Sequence, residues 1–405
     1  MLFSSPEPIA AAVDRLESKT PVGSPLTSAQ WQEIDVALRD RAFFSARVED
    51  VRIVSEMQSR IDDALKLVRR DGGAFMDRSR FIGDMRSLLG AQPGDSGKLT
   101  DITSGSRLGL VYDFNTEDAM AYGRWLSRQD PDALDAYPCD ELIRVEDRKV
   151  PRGFRKGKGG VLIEVPEESW PARWQAAGGT FVDGRMIALK NDRIWTAISR
   201  FGRPWPPFDF NSGMGLADIS RAESESLGVI APRAPAPKPR SEPFNTNLQA
   251  TMAEVTPAIE EAFHEIFGDQ VDVRDGKIIW RGDRIRELTR AALDRPQSTE
   301  SLDLGQATPD AIRAAGSSQF GGGNMRLDAA SIRAIDSPML SELDFRLVPQ
   351  IWRAPDEVEA LSGGGLVFTK RFLGRTASAT FRRDAGDTWT LATLEVQSAT
   401  KGGAR

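Results

Sequence analysis

Near the N-terminus apolar positions recur every three or four residues, and near the C-terminus they recur every second residue. The first spacing is that of a helix buried on one side, the second that of a half-buried strand. In "LTSAQWQEIDVALRDRAFFSARVEDVRIVSEMQSRIDDALKLVRRDGG", Ser28 or Thr27 can cap a helix over Ala29–Arg39. Val48, Val51, Val54, Ile61, Leu65 and Val68 then mark a second helix, with charges on its other face and Asp71-Gly72-Gly73 as its stop. "DRSRFIGDMRSLLG" predicts a shorter helix ending at Gly90. In "LTDITSGSRLGLVYDFNTEDAMAYGRWLSRQD", Leu108, Val111, Tyr112, Ala119 and Tyr122 share one face, with Asn115 near it. A polar residue so placed is ordinarily hydrogen-bonded to a neighbouring helix rather than to a ligand.

From Asp135 the texture changes to short extended runs, turn residues and isolated tryptophans. "FVDGRMIAL" predicts a hairpin turning at Asp183-Gly184. "RKVPRGFRKGKGG" is a basic run, read either as a solvated loop or as a contact for a phosphate backbone. "DRIWTAISRFG" predicts a short helix. After it comes "RFGRPWPPFDFNSGMG", with three prolines, three glycines and four aromatic residues in one non-helical stretch. Trp195, Trp205, Pro206, Pro207 and Phe208 are expected to fold this stretch back as a buried closing segment. Prolines stiffen it, glycines permit close approach and the aromatic rings supply area to bury. A protein-contact surface using Trp205 and Phe208 is the alternative.

"APRAPAPKPRSEP" at 231–243 reads as an extended Pro-rich linker. Beyond it, "LQATMAEVTPAIEEAFHEIFG" predicts a helix carrying His264, and "QVDVRDGKIIWRG" a hairpin at Asp275-Gly276. "SLDLGQATPDAIRAAGSSQFGGGNMRL" reads as loop-rich, followed by a helix around Ala330–Ile335 and a final three-strand meander. The organisation expected is an arm over 1–26, a mainly helical domain over 27–230, the linker, a connecting region over 244–330 and a small α+β domain over 331–405. The arm's short amphipathic piece, Ile9–Leu16, is expected to fray, with docking on a neighbouring subunit as the alternative. The fold class is α+β.

Composition narrows the chemistry. The 405 residues carry 53 basic and 59 acidic side chains, a net charge of −6, which argues against a globally basic nucleic-acid binder. With one cysteine, Cys139, and one histidine, His264, an internal disulfide and a Cys/His zinc site are both excluded. A cysteine–histidine catalytic pair would have to join these two across the linker. The usage fits a reducing cytoplasm. No signal-peptide pattern and no apolar run of spanning length is found, so no membrane is expected. There is no P-loop, dinucleotide fingerprint, G-x-S-x-G or metal-ligand cluster, and no cofactor or metal is expected.

Two segments carry a family resemblance. "RLGLVYDFNTEDAMAYGRWLSRQD" resembles a helix of Mu F-like phage minor head (head morphogenesis) proteins through Arg107, Leu108, Asn115, Tyr122, Gly123, Arg124 and Trp125. "DRIWTAISRFGRPWPPFDFNSGMGLADIS" is similar to the stretch that ends that family's domain. It departs where the family places Cys-x-Cys: Asn211, Ser212, Gly213 and Met214 stand there, so packing must replace a cysteine clamp. The resemblance implies a minor virion component near the portal, present in the host cytoplasm during assembly. Its implied partners are the portal and other capsid proteins, with packaged DNA or RNA as a further one.

The C-terminal segment "LDFRLVPQIWRAPDEVEALSGGGLVFTKRFLGRTASATFRRDAGDTWTLATLEVQS" resembles the phage barnase–EndoU–colicin–RelE-like nuclease fold. Strand alternation puts Arg371, Arg382 and Glu395 on one polar face. Glu395 could there deprotonate a ribose 2′-hydroxyl, while Arg371 and Arg382, with Lys370 and Arg375, hold the phosphate. The plainer reading is a solvated sheet face with cross-strand ion pairs. The C-terminal domain is accordingly either a binding module or a metal-independent ribonuclease.

Overall fold

The structure, a computed structural model, describes residues 7–34, 36–71, 78–146, 150, 153–210, 212–239, 249–251, 270–274, 277–281, 283–308, 311–313, 323–335, 337–372, 375–384 and 388–398. The expected helix with His264, the Asp275-Gly276 turn and Asn211 lie outside these residues.

The chain begins with α1 (Glu7–Glu17), β1 (Thr20–Val22), α2 (Ser28–Glu33), α3 (Val36–Arg41), β2 (Ala42–Phe44), α4 (Val51–Asp71), α5 (Arg78–Leu88), α6 (Gly105–Ser127) and α7 (Pro131–Ala136). There follow β3 (Cys139–Arg144), β4 (Phe154–Lys156), β5 (Leu162–Glu164), α8 (Trp170–Ala176), β6 (Ile187–Leu189), α9 (Ile194–Ala197), β7 (Met214–Ile219) and α10 (Arg221–Ser226). The remainder is β8 (Gln249–Thr251), β9 (Val271–Arg274), β10 (Lys277–Trp280), α11 (Arg284–Asp294), β11 (Ser301–Gln306), β12 (Asn324–Asp328), α12 (Ala329–Ile335), α13 (Val348–Arg353), β13 (Glu357–Ala360), β14 (Gly365–Phe372), β15 (Arg375–Arg383) and β16 (Trp389–Ser398). The class is α+β.

Two compact units form, and both are discontinuous in sequence. One comprises Met1–Ser18, Arg60–Ile82 and Ser106–Thr246; the other comprises Lys19–Ser59, Gly83–Gly105 and Asn247–Arg405.

In the first unit, α1 is an ordered amphipathic helix. Ala12, Val13 and Leu16 are buried, so apolar burial overrides the fraying expected of a terminus. The sheet is antiparallel, in the order β6-β3-β7. Its core gathers Trp170, Trp174, Trp195 and Phe208 with Leu142, Ile194, Ile198 and Met214. Trp174 and Trp195 each satisfy the indole N–H at a backbone carbonyl, that of Thr180 and Leu189 respectively, at 2.8 Å. Of the expected linker, Ala231–Pro239 carries no regular element. It is tied down where Arg221 donates to the Ala234 carbonyl and the Arg233 N–H donates to Glu225.

In the second unit, Thr27 caps α2 through a capping box with Gln30. The single helix expected over Ala29–Arg39 is instead two short ones, because α2 stops at Ile34, whose backbone is extended. The "loop-rich" stretch holds two strands, β11 and β12. Their alternating burial, with Leu302, Leu304, Met325 and Leu327 inward, was obscured by the glycines and polar residues around them. They extend the expected meander into a six-stranded sheet ordered β11-β12-β16-β15-β14-β13, with only β12–β16 parallel. Helices α11, α12 and α13 contribute Ile285, Leu288, Ile332, Ile351 and Trp352 to its core. Trp352 stacks on Phe368 at 5.2 Å and meets Phe381 edge-on at 5.0 Å.

Residues from the N-terminal third complete this sheet unit. Val51 belongs to its core. Asp50 Oδ1 accepts from the Arg52 N–H at 2.9 Å, and its buried Oδ2 pairs with Nε of the largely covered Arg375 at 2.8 Å. Burial pushes the Asp50 carboxyl up despite the Arg375 charge. Arg52 pairs with Asp344 at 2.6 Å, Arg346 bonds Ser55 and Asp283, and Gln350 Nε2 donates to the Glu49 carbonyl at 2.8 Å.

Arg375→Met leaves Asp50 buried without its cation, and urea denaturation should show a loss of about 3–5 kcal/mol. Arg371→Met removes only an exposed pair and should cost about 1 kcal/mol or less. Equal, small losses would mean the Asp50 pair does not hold this unit.

Candidate functional site

The closing segment lies within the first unit and folds onto α6. Trp205 packs with Ala121, Tyr122 and Trp125 of that helix, its ring 5.2 Å from that of Trp125. Its indole Nε1 donates to Asp118 Oδ1 at 2.9 Å. Arg203 forms an ion pair with the same buried carboxylate and lies over the rings of Phe114 and Phe201. Arg15 of α1 lies over Tyr122 and Trp205, 5.5 and 5.6 Å from the ring centres. Further along, Phe208 is fully buried in the tryptophan core beside Trp195. Pro207 is buried too, and the Pro206–Pro207 peptide is cis.

The segment is locked at both ends. Arg200 N–H donates to the Phe208 carbonyl at 2.8 Å. Asp209, completely buried, accepts from Arg173 Nη2 at 2.9 Å and from the Phe210 N–H at 2.8 Å. Gly213 stands at φ +59° with its carbonyl accepting from Val145 and Glu146. A Cβ there would come within 2.6 Å of the Glu146 carbonyl oxygen, so this crossing requires glycine. Asn115 bonds back to the Val111 carbonyl at 2.8 Å, within its own helix.

Asp118, Arg203 and Arg15 were not singled out in the sequence. The signal for Asp118 is a carboxylate on the apolar face of α6, which demands a buried donor or cation. Nothing in the sequence pairs it with Arg203, 85 positions away.

A second charged cluster sits beside β3. Asp140 and Lys190 are buried, and Arg128 and Asp218 join them. Burial pushes the Asp140 carboxyl up; Lys190 and Arg128 hold Asp218 below its ordinary value against the pull of burial. Two carboxylates meet two cations, so the cluster is balanced as a structural clamp. Cys139 next to it is buried, and burial raises its thiol further from ionisation. On the outer side of α6, Glu117 is pushed up to about 7, first by desolvation and then by the charges of Glu146 and Asp113. Its side chain remains open to solvent.

In the second unit, the six-stranded sheet decides how the residues expected to cut RNA are arranged. Arg371, Arg382 and Glu395 are all exposed, on the face opposite the core. Ser378 stands opposite Glu395, Arg382 opposite Thr390, and Arg371 opposite Thr376. Glu395 and Arg382 are therefore four residues apart along the ladder, roughly 13 Å. Arg371 turns to the neighbouring strand and pairs with Glu357. Lys370 points the other way, buried and donating to the Ala354 carbonyl at 2.8 Å, and Arg375 is held by Asp50. The five residues do not converge. A bulge makes Phe381 face Leu391 next to the Thr380–Thr393 pair, which turns Leu391 into the core rather than onto the polar face.

Among the described residues no group of His, Cys, Asp and Glu could hold a metal ion, and no helix is long and apolar enough to cross a membrane. No protein-family model matches the chain, and no curated protein or solved structure matches it.

Trp205→Ala removes a buried ring and one donor to Asp118. It should cost about 3–5 kcal/mol in denaturant titration, whereas Trp205→Phe should retain more than half of that; equal losses would show that the ring's area is not what closes α6. Glu117 binds its proton more readily folded than unfolded. Stability should therefore fall as pH rises from about 4.5 to about 7 and then level off. Thermal melts of Glu117→Gln across this window should lack that fall, and an identical profile in the variant would assign it to other groups.

Proposed function

We propose that this chain is a minor head protein of a phage or prophage, acting in capsid assembly near the portal. Its C-terminal sheet then serves as a binding or packing module. The observation that carries the reading is the meeting of the two motif-bearing segments. Trp205 of the closing segment seats on Tyr122 and Trp125 of the helix that bears the other motif, bonded to Asp118. Motifs separated by some 80 residues in sequence thus form one packed element, as expected where a domain is closed by its last segment. The portal and other capsid proteins are the partners of this reading, and the virion its destination.

The geometry favours binding over ribonuclease chemistry in the C-terminal sheet. Metal-free RNA cleavage needs a base and phosphate-binding cations around one phosphate. Here Glu395 stands apart from Arg382, while Arg371 and Arg375 have carboxylate partners of their own.

Virions purified after induction of the source cell should contain this chain at low copy relative to the major capsid protein. Mass spectrometry should detect peptides from both 27–230 and 340–405. Absence of the chain from virions would overturn the reading of a virion component.

A further inference from the structure

Residues 153–165 form a two-stranded hairpin of exposed strands. Among the described residues, strands β4 and β5 pair only with each other, in the register Phe154–Glu164, Arg155–Ile163 and Lys156–Leu162. Every residue of both strands is exposed. Val161, Ile163 and Leu162 show 66%, 55% and 46% of their surface. The tip runs Gly157-Lys158-Gly159-Gly160, with Gly159 at φ +77° and Gly160 at φ +84°, and is closed by Gly157 N–H donating to the Val161 carbonyl at 2.7 Å.

Charge is segregated here. Residues 148–164, "RKVPRGFRKGKGGVLIE", hold six basic side chains and one acidic, Glu164, in a chain of net charge −6. Arg155 is engaged by Glu168 at the hairpin's base. Lys156 and Lys158 are exposed and have no carboxylate partner among the described residues.

We propose that this hairpin is a sequence-independent nucleic-acid contact, a β-ribbon that enters a duplex groove with Lys156 and Lys158 on the phosphates. A groove of B-form DNA admits a two-stranded ribbon and presents phosphates along both of its walls. The hairpin matches that symmetry. One face carries Lys156 with Phe154, Leu162 and Glu164, the other carries Arg155 with Ile163, and Lys158 sits at the tip. An anionic membrane asks for something else: one apolar face, with the charges on the opposite face. Apolar side chains divided between both faces do not provide it. The inference rests on the hairpin alone and does not depend on the head-protein reading.

The test is fluorescence anisotropy of a labelled 20-base-pair duplex titrated with the full chain at several salt concentrations. Wild type should bind with steep salt dependence. Lys156→Ala with Lys158→Ala should weaken binding at least tenfold near 100 mM salt and lower the slope of log affinity against log salt by roughly 2. Because both side chains are exposed, the variant should melt at the wild-type temperature, so a loss of binding cannot be a loss of fold. Unchanged affinity in the double variant would overturn the proposal. So would wild-type protein that ignores the duplex, including the case in which it binds vesicles containing phosphatidylserine instead.

Discussion

A single buried carboxylate organises the first unit. Asp118 lies on the inward face of α6 with almost no access to solvent. A charge in that position is tolerable only if donors surround it. Trp205 and Arg203 are those donors, and both belong to one proline-stiffened segment. Satisfying Asp118 therefore fixes where the chain must return, and the return brings Phe208 to the tryptophan core and Gly213 to β3. Asp209 repeats the device a few residues on, with Arg173 as its cation.

The same rule governs the charges elsewhere. Asp140 and Lys190 are buried and paired, as is Asp50 with the largely covered Arg375, so they are spent on structure. Arg375 is instructive because its position in a strand of alternating residues suggested a role in holding phosphate. Its side chain instead neutralises a carboxylate contributed from more than 300 positions earlier in the chain. The six-stranded sheet is thus not an autonomous C-terminal module. Two of its ion pairs, those of Asp50 and Arg52, and part of its core come from residues 49–55.

Legibility followed the range of the interactions involved. The Thr27 cap, the α4 face and the alternation of Ala377, Ala379 and Phe381 in β15 depend on neighbours within a turn or a strand, and they could be read directly. β11 and β12 could not, because each is short and separated from its partner by polar and glycine-rich sequence. The split between α2 and α3 was hidden for a related reason, since both halves keep helical spacing and only the extended backbone at Ile34 parts them. The inward turn of Leu391 could not be read either, because a one-residue bulge resets the period of β16 at Ala392.

By itself, the sequence determined the buried faces of the longer helices and of the final strands, the α+β class and the shortage of Cys and His ligands. It also marked the aromatic closing segment and the basic run, because both are concentrations of one chemistry in contiguous residues. Only the tertiary structure decided that Asp118 meets Trp205, that Asp50 meets Arg375, and that Glu395 and Arg382 share a face without approaching each other. The physical reason is that periodicity reports the direction in which a side chain points. Distance between side chains far apart in sequence is set by strand register and chain return, and neither leaves a local signature.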